Sequence, residues 1–171
     1  VEIVIERDNK LITENLTLKE IPGSNGRVGL GITFAESKTI KTDPNVDADT
    51  EKIGGPSAGL MFTLEILNQL LDIDISKGYN IAGTGAMNED GTVGRIGGVE
   101  KKVVAADRAG MEIFFAPDDE ITEQMIANNP DIVSNYKAAA KTAKEIGTTM
   151  KIVPVKTIDD ALKYLSALKV K

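Results

Sequence analysis

Ser57 lies among small residues at the predicted start of an apolar helix, within the run Gly55-Pro56-Ser57-Ala58-Gly59. Proline suits the first turn of a helix, and small neighbours let a substrate backbone come close to the serine hydroxyl. The first N–H groups of a helix have no partner inside the helix and carry a partial positive charge, which stabilises an oxyanion forming nearby. The run therefore favours a nucleophilic serine, with a serine that only caps its helix as the alternative.

The base for such a serine is not a histidine, because the chain contains no histidine and no cysteine. This composition excludes a Ser-His-Asp triad, a histidine-ligated zinc site, and any disulfide or thiolate ligand. A nucleophilic serine in this chain therefore needs another base.

A pair of lysines follows the glycines Gly97 and Gly98, on a helix predicted for residues 99–109. Successive residues lie ~100° apart around a helix, so Lys101 and Lys102 point in different directions. The residues at i, i+3, i+4 and i+7 on one face are Val99, Lys102, Val103 and Ala106. An amine held against branched apolar side chains loses hydration, which favours the neutral form that a general base requires. The spacing favours Lys102 as the base, and a solvated lysine pair is the alternative.

A threonine between two glycines, Thr84, follows a predicted strand in the run Ala82-Gly83-Thr84-Gly85. A hydroxyl at the end of a strand can hydrogen-bond a nearby amine and hold it in line. Thr84 is therefore a candidate for supporting the base, and a threonine that serves only a turn is the alternative.

The bulk composition limits the classes of partner and of cofactor. The 171 residues are 42% hydrophobic and 4% aromatic, which suits one compact domain plus a small additional piece. A net charge of −6 opposes nucleic acid as a main partner, because phosphate binding needs a cationic surface. The chain has no Gly-Lys-Ser/Thr phosphate loop, so no nucleotide is expected, and no metal or other cofactor is predicted.

Helices and strands alternate after Ser57, which predicts an α/β (α+β) fold. Residues 1–18 alternate as a hairpin does, and residues 22–26 have the composition of a linker. The helix predicted for residues 57–71 is apolar nearly all round and is expected to be buried. The other predicted elements are strands at 28–34, 79–82, 112–116 and 150–155, a loop at 42–52, a hairpin at 86–96, and helices at 119–127, 135–146 and 157–168.

Taken together, these motifs resemble those of the proteolytic domain of the Lon protease family. Residues 56–59, Pro-Ser-Ala-Gly, match the nucleophile motif of that family, and Thr84 followed by glycine matches its threonine after the next strand. Residues 97–102 match its Gly-Gly-x-x-x-Lys motif, which places the dyad lysine on Lys102, in agreement with the helical spacing. The resemblance covers most of the chain from residue 27 onward.

The resemblance implies an ATP-independent serine endopeptidase that uses a Ser57-Lys102 dyad and an acyl-enzyme. It implies the Lon proteolytic-domain fold, similar to the topology of ribosomal protein S5 domain 2, and a peptide or unfolded protein as substrate. Thr84 would orient the lysine. The residues expected near the oxyanion and the substrate backbone are Gly55, Pro56, Ala58, Gly97 and Gly98.

Residues 53–62 and the run Phe114-Phe115-Ala116-Pro117 resemble most the membrane-anchored, PDZ-containing Lon-like proteases of Gram-positive bacteria. That branch implies that residues 1–26 are the C-terminal hairpin and linker of an upstream PDZ-like domain, and that residues 27–171 are the Lon-like domain. It also implies a parent protein in the cell membrane, attached through an N-terminal anchor absent from this chain, with the protease domain on the extracellular face. A homo-oligomer is possible, since the ATP-dependent relatives form rings.

Two other functions fit parts of the pattern. A small-molecule kinase also holds phosphates at a glycine- and serine-rich helix start, and residues 54–59 are superficially similar. A non-catalytic interaction module would use the glycines only for turns. A shift in melting temperature with ATP distinguishes the first, and activity that does not depend on Ser57 distinguishes the second.

Overall fold

A computed structural model describes residues 1–23, 26–32, 46 and 55–171. The chain divides into two compact units, Val1–Asn45 and Val46–Lys171. The loop predicted for residues 42–52 lies outside the described residues, except for Val46. The predicted linker is described except for residues 24–25.

The first unit begins with an antiparallel hairpin of β1 (Glu2–Arg7) and β2 (Lys10–Asn15), as the alternation predicts. The turn residues Asp8 and Asn9 both have positive φ, 52° and 58°, which is the backbone that a two-residue hairpin turn needs. A second short pair joins β3 (Lys19–Glu20) to β4 (Val28–Gly29). The strand predicted for 28–34 therefore ends early at Gly29, and residues 33–34 lie outside the described part of the chain.

The second unit alternates helices and strands, which confirms the α/β class. It begins with a 3-10 helix, Pro56–Ala58, that leads directly into α1 (Gly59–Leu70). The remaining elements are β5 (Ile81–Gly83), β6 (Ala86–Met87), β7 (Val93–Gly94), α2 (Val99–Arg108), β8 (Ile113–Pro117), α3 (Glu123–Asn128), α4 (Asn135–Ile146), β9 (Lys151–Val155) and α5 (Ile158–Ala167).

A parallel sheet in the order β5-β8-β9 forms the middle layer of this unit. Every residue of the central strand β8 is buried, and its side chains alternate between the two faces of the sheet. Phe115 packs with Leu60 and Leu64 of α1 and with the buried residues of α5, whereas Phe114 packs with the buried residues of α2 and α4. Helix α1, which follows the turn of Ser57, and helix α2, which carries Lys102, thus cover opposite faces of one sheet.

Two predictions for the helices need correction. Helix α1 is not buried all round: among its residues only Leu60 and Leu64 are buried, and Leu70 is 48% exposed, because the helix packs on the sheet along one face. Helix α3 begins at Glu123 rather than at residue 119, after Thr122 has accepted a hydrogen bond from the N–H of Met125. Asp119 instead uses its carboxylate in tertiary contacts.

The predicted ends of the other helices agree with the structure to within a few residues. Thr157 caps α5 in a reciprocal capping box with Asp160. Gly98, with φ of 68°, precedes α2, which has no side-chain cap at its start.

Among the described residues, no helix is long and apolar enough to cross a membrane.

Candidate active site

Ser57 sits in the middle of the 3-10 helix Pro56–Ala58, one turn before α1 begins. Gly55 precedes it with φ of 78°, a backbone conformation that side chains other than glycine rarely adopt. Pro56 follows, at the first position of the helix, where its missing N–H costs nothing. This sequence of glycine and proline produces the sharp entry into the helix, and it leaves Ser57 and Ala58 partly exposed.

The backbone of Ser57 is fixed by the residues that follow strand β5. Its carbonyl oxygen accepts hydrogen bonds from the hydroxyl of Thr84 at 2.8 Å and from the N–H of Gly85 at 2.9 Å. The N–H of Leu60 in turn donates to the carbonyl of Gly85 at 3.0 Å. Thr84 itself is fully buried, at 0% exposure. These three bonds hold the turn of Ser57 against the end of the sheet.

Two glycines allow this close approach. A Cβ on Gly59 would lie 2.8 Å from the backbone nitrogen of Met87, and a Cβ on Gly85 would lie 2.3 Å from Cγ1 of Val93. Both distances are far below van der Waals contact, so each position requires glycine for packing. The sequence motifs include both glycines, but their spacing does not indicate this packing role.

Lys102 is the fourth residue of α2, and its Nζ lies 3.3 Å from the Oγ of Ser57, in hydrogen-bonding distance. Val99 and Val103 on the same helix are buried in the core, whereas Lys101 is exposed. Lys102 is partly buried between these two environments. The helical spacing therefore identified the lysine that faces Ser57.

The glycines before α2 are exposed and open. No described atom lies within 4 Å of the position that a Cβ would take on Gly97 or on Gly98. The N–H groups of Lys101 and Lys102 approach the carbonyl of Gly98 at 3.2 and 3.4 Å, which starts the helix without a side-chain cap. A side chain at either position would therefore meet no described neighbour.

The structure brings Ser57 and Lys102 together from two helices and places Thr84 behind Ser57. The hydroxyl of Thr84 donates to the serine backbone and not to the lysine amine. Sequence analysis missed the buried amide of Asn135, which bonds the backbone just before Gly97. The only signal for it in the sequence is an asparagine directly after a helix-capping serine. Among the described residues, no group of three or more acidic side chains could hold a metal ion.

Comparison with known proteins shows the family of this chain. Residues 44–168 match the family model of the Lon protease (S16) C-terminal proteolytic domain. Lon protease of Neorickettsia sennetsu is 30% identical over 141 residues, which are 82% of this chain and 15% of that protein. Lon protease of Trichlorobacter lovleyi is 35% identical over 109 residues, 64% of this chain and 11% of that protein.

A mitochondrial protein is also among the relatives. The mitochondrial Lon protease homolog of Neurospora crassa is 42% identical over 69 residues, 40% of this chain and 6% of that protein. The chain therefore spans only a small part of the length of these relatives, 15% or less. On the family match over residues 44–168, the chain belongs to the Lon protease (S16) family, as a proteolytic domain of the serine peptidase type.

Proposed function

We propose that this domain is an ATP-independent serine endopeptidase in which Ser57 is the nucleophile and Lys102 is the general base. The observation that carries the proposal is the 3.3 Å distance between Lys102 Nζ and Ser57 Oγ, in a chain that has no histidine and no cysteine. Family membership supports the same reaction. The alternative of a kinase-like phosphate site has no comparable observation in its favour.

The reaction would proceed through four proton transfers at the amine of Lys102, two in acylation and two in deacylation. Neutral Lys102 removes the hydroxyl proton of Ser57 as Oγ attacks the peptide carbonyl. The lysine then gives this proton to the leaving amine, and an ester remains on Ser57. A water molecule attacks the ester while Lys102 takes one of its protons, and the proton returns to Oγ as the acid product leaves. The burial of Val99 and Val103 on the same helix supports this role, because it places the partly buried Lys102 at the edge of the core.

The oxyanion would form beside the turn that carries Ser57. Backbone N–H groups at the start of a helix have unsatisfied hydrogen-bonding capacity and suit this task. Gly55 and Ala58 are small enough to let a substrate backbone reach the turn, and Pro56 fixes its shape without offering a donor. Gly97 and Gly98 are exposed and would also offer their backbone to a substrate.

Thr84 would act on the nucleophile rather than on the base. Its hydroxyl bonds the carbonyl of Ser57 at 2.8 Å, which supports a role in positioning the serine. This differs from the expected orientation of the lysine amine, and both roles predict a loss of rate when the hydroxyl is removed.

The substrate would be a peptide or an unfolded protein, since the chain belongs to the Lon protease family. Neither nucleic acid nor nucleotide is a proposed partner. Three further points stay predictions: a homo-oligomer, an upstream PDZ-like domain whose C-terminal hairpin and linker are residues 1–26, and a membrane-anchored parent with the protease on the extracellular face. They rest on the likeness of residues 53–62 and 114–117 to one branch of the family.

The test is cleavage of an unstructured peptide pool, followed by mass spectrometry. Wild type, Ser57→Ala, Lys102→Ala and the matched control Lys101→Ala are compared, each after its fold is verified by circular dichroism. The proposal expects new peptide ends with wild type and Lys101→Ala, and none with the other two variants. Cleavage by Ser57→Ala, or an equal loss in both lysine variants, would contradict it.

A further inference from the structure

The side chain of Asn135 holds the backbone of Ile96 from both sides. Its Oδ1 accepts the N–H of Ile96 at 2.8 Å, and its Nδ2 donates to the carbonyl of Ile96 at 3.1 Å. Asn135 is only 3% exposed, so neither bond competes with solvent. Because the amide oxygen and the amide nitrogen are both bonded to Ile96, they fix the position and orientation of its backbone.

Asn135 is itself held by a carboxylate. One oxygen of Asp119 accepts the N–H of Asn135 at 2.7 Å, at the start of α4, where an anion is favoured by the helix dipole. The other oxygen pairs with Arg95 at 2.5 Å, and Arg95 also donates to the carbonyl of Val133 at 2.9 Å. Two consecutive residues, Arg95 and Ile96, are thus tied to the beginning of α4.

The tied segment leads directly to the lysine. After Ile96 come Gly97 and Gly98, which have open surroundings among the described residues and little conformational preference of their own. Helix α2 then starts without a side-chain cap, and Lys102 is already in its first turns. The two glycines do not fix the position at which α2 begins. That position is therefore fixed by Ile96 before the glycines and by the buried valines of α2 after them.

We propose that Asn135 is a positioning residue for Lys102. By fixing Ile96, it sets the start of α2 and keeps the amine of Lys102 within reach of the Ser57 hydroxyl. The catalytic consequence rests on the proposed function, but the geometry itself does not. A purely structural asparagine would stabilise the domain without affecting the relation between Ser57 and Lys102.

The first experiment measures that relation without any catalysis. The chain has no cysteine, so Ser57→Cys introduces a single thiol beside Lys102. A nearby ammonium stabilises the thiolate and raises its reactivity near neutral pH. The rate of alkylation by iodoacetamide is measured from pH 5 to pH 10 for Ser57→Cys alone and combined with Lys102→Met, Asn135→Leu or Thr142→Val. Thr142 is the matched control, a buried hydroxyl on α4 that donates to the carbonyl of Ala138 within its own helix.

Asn135→Leu should lower the alkylation rate at pH 7 in the same direction as Lys102→Met, by about three- to tenfold, since one pH unit in the titration midpoint is tenfold in thiolate. Thr142→Val should leave the rate within twofold. The inference would be overturned if Ser57→Cys with Asn135→Leu were alkylated as fast as Ser57→Cys alone. It would also be overturned if adding Lys102→Met to Ser57→Cys left the alkylation rate unchanged. If Asn135→Leu does not fold, Arg95→Met replaces it, because Arg95 is the partly exposed partner of Asp119. Arg95→Met should also lower the alkylation rate, and an unchanged rate in that variant would overturn the inference.

Peptide hydrolysis separates this inference from the proposed function. With Ser57 intact, Asn135→Leu should reduce kcat by more than tenfold and leave KM within about twofold, because the substrate contacts remain. Full kcat in folded Asn135→Leu would overturn the positioning role while the contrast between wild type and Ser57→Ala still supports the peptidase. Cleavage that persists in Ser57→Ala, together with the expected alkylation pattern, would reject the peptidase and keep the positioning role.

Discussion

The hydroxyl of Thr84 donates a hydrogen bond to the backbone carbonyl of Ser57, 2.8 Å away, although 27 residues separate the two in the chain. Thr84 lies at the end of β5 and is completely buried. The serine side chain is therefore attached to a turn whose backbone is bonded directly to the central sheet. Removing this bond would test how far the position of Ser57 matters for the proposed reaction.

Removing the Thr84 hydroxyl should affect both stability and rate. Thr84→Val keeps the shape but leaves the serine carbonyl with only its bond from Gly85, which we expect to cost about 1 kcal/mol of unfolding free energy. The rate of peptide hydrolysis should also fall, because the turn of Ser57 becomes less defined. Urea unfolding and kcat are the measurements. Thr84→Ser keeps a hydroxyl and should recover most of both, and no recovery would contradict a role for this bond.

Lys102→Arg should abolish hydrolysis although it keeps the positive charge. An arginine cannot lose its proton in a protein and so cannot act as a base. Loss of a general base typically reduces the rate by about 10²- to 10⁴-fold. Lys101→Arg on the neighbouring, exposed position is the control and should retain the rate. Initial rates on one defined peptide decide the matter, and substantial turnover by Lys102→Arg would be incompatible with the dyad.

Gly85→Ala should destabilise the domain strongly. The added methyl group would lie 2.3 Å from Cγ1 of Val93, against a strand that cannot move without disturbing the core. Overpacking of this kind costs about 1–3 kcal/mol, and the tight site places Gly85→Ala at the upper end. Gly97→Ala, which meets no described atom within 4 Å, is the comparison and should change stability by only a few tenths of a kcal/mol. Equal melting temperatures of the two variants would contradict this prediction, because they would show that the residues around Gly85 shift to accept the methyl group at little cost.

Asp160 should make stability depend on pH at the acid end. The N–H of Lys156, followed by contacts with Thr157, holds the pKa of this carboxyl below its usual value of 3.8 in spite of some desolvation. Because the folded pKa is depressed, the carboxylate contributes stability above pH 3.8, and this contribution is lost as pH falls through the folded pKa. Asp160→Asn should lower stability at neutral pH and flatten the acid part of the curve. Thermal melts from pH 2 to pH 7 test this, and parallel curves for the two proteins would refute it.

Local patterns predicted the parts of the fold that depend on neighbours in the chain. The hairpin of residues 1–18, the capping of α5 by Thr157 and the inward face of α2 all follow from spacing or from turn chemistry within a few residues. The start of α3 was not predicted correctly. Asp119 is a residue type typical of a helix start, but here it bonds Arg95 and Asn135. The burial of α1 was overestimated, because an apolar composition does not say how many of its faces other elements cover.

The sequence by itself determined which residues are candidates for the chemistry of the site. With no histidine and no cysteine, a nucleophilic serine had to use another base, and the helical spacing selected Lys102 over Lys101. Only the tertiary structure decided how the groups are held: Thr84 bonds the backbone of Ser57, and Asn135 holds the segment before Lys102. Each of these bonds joins segments 27 or more residues apart. Hydrogen bonds over such separations leave no periodic signal in the chain, since their geometry exists only after the sheet and its helices have packed.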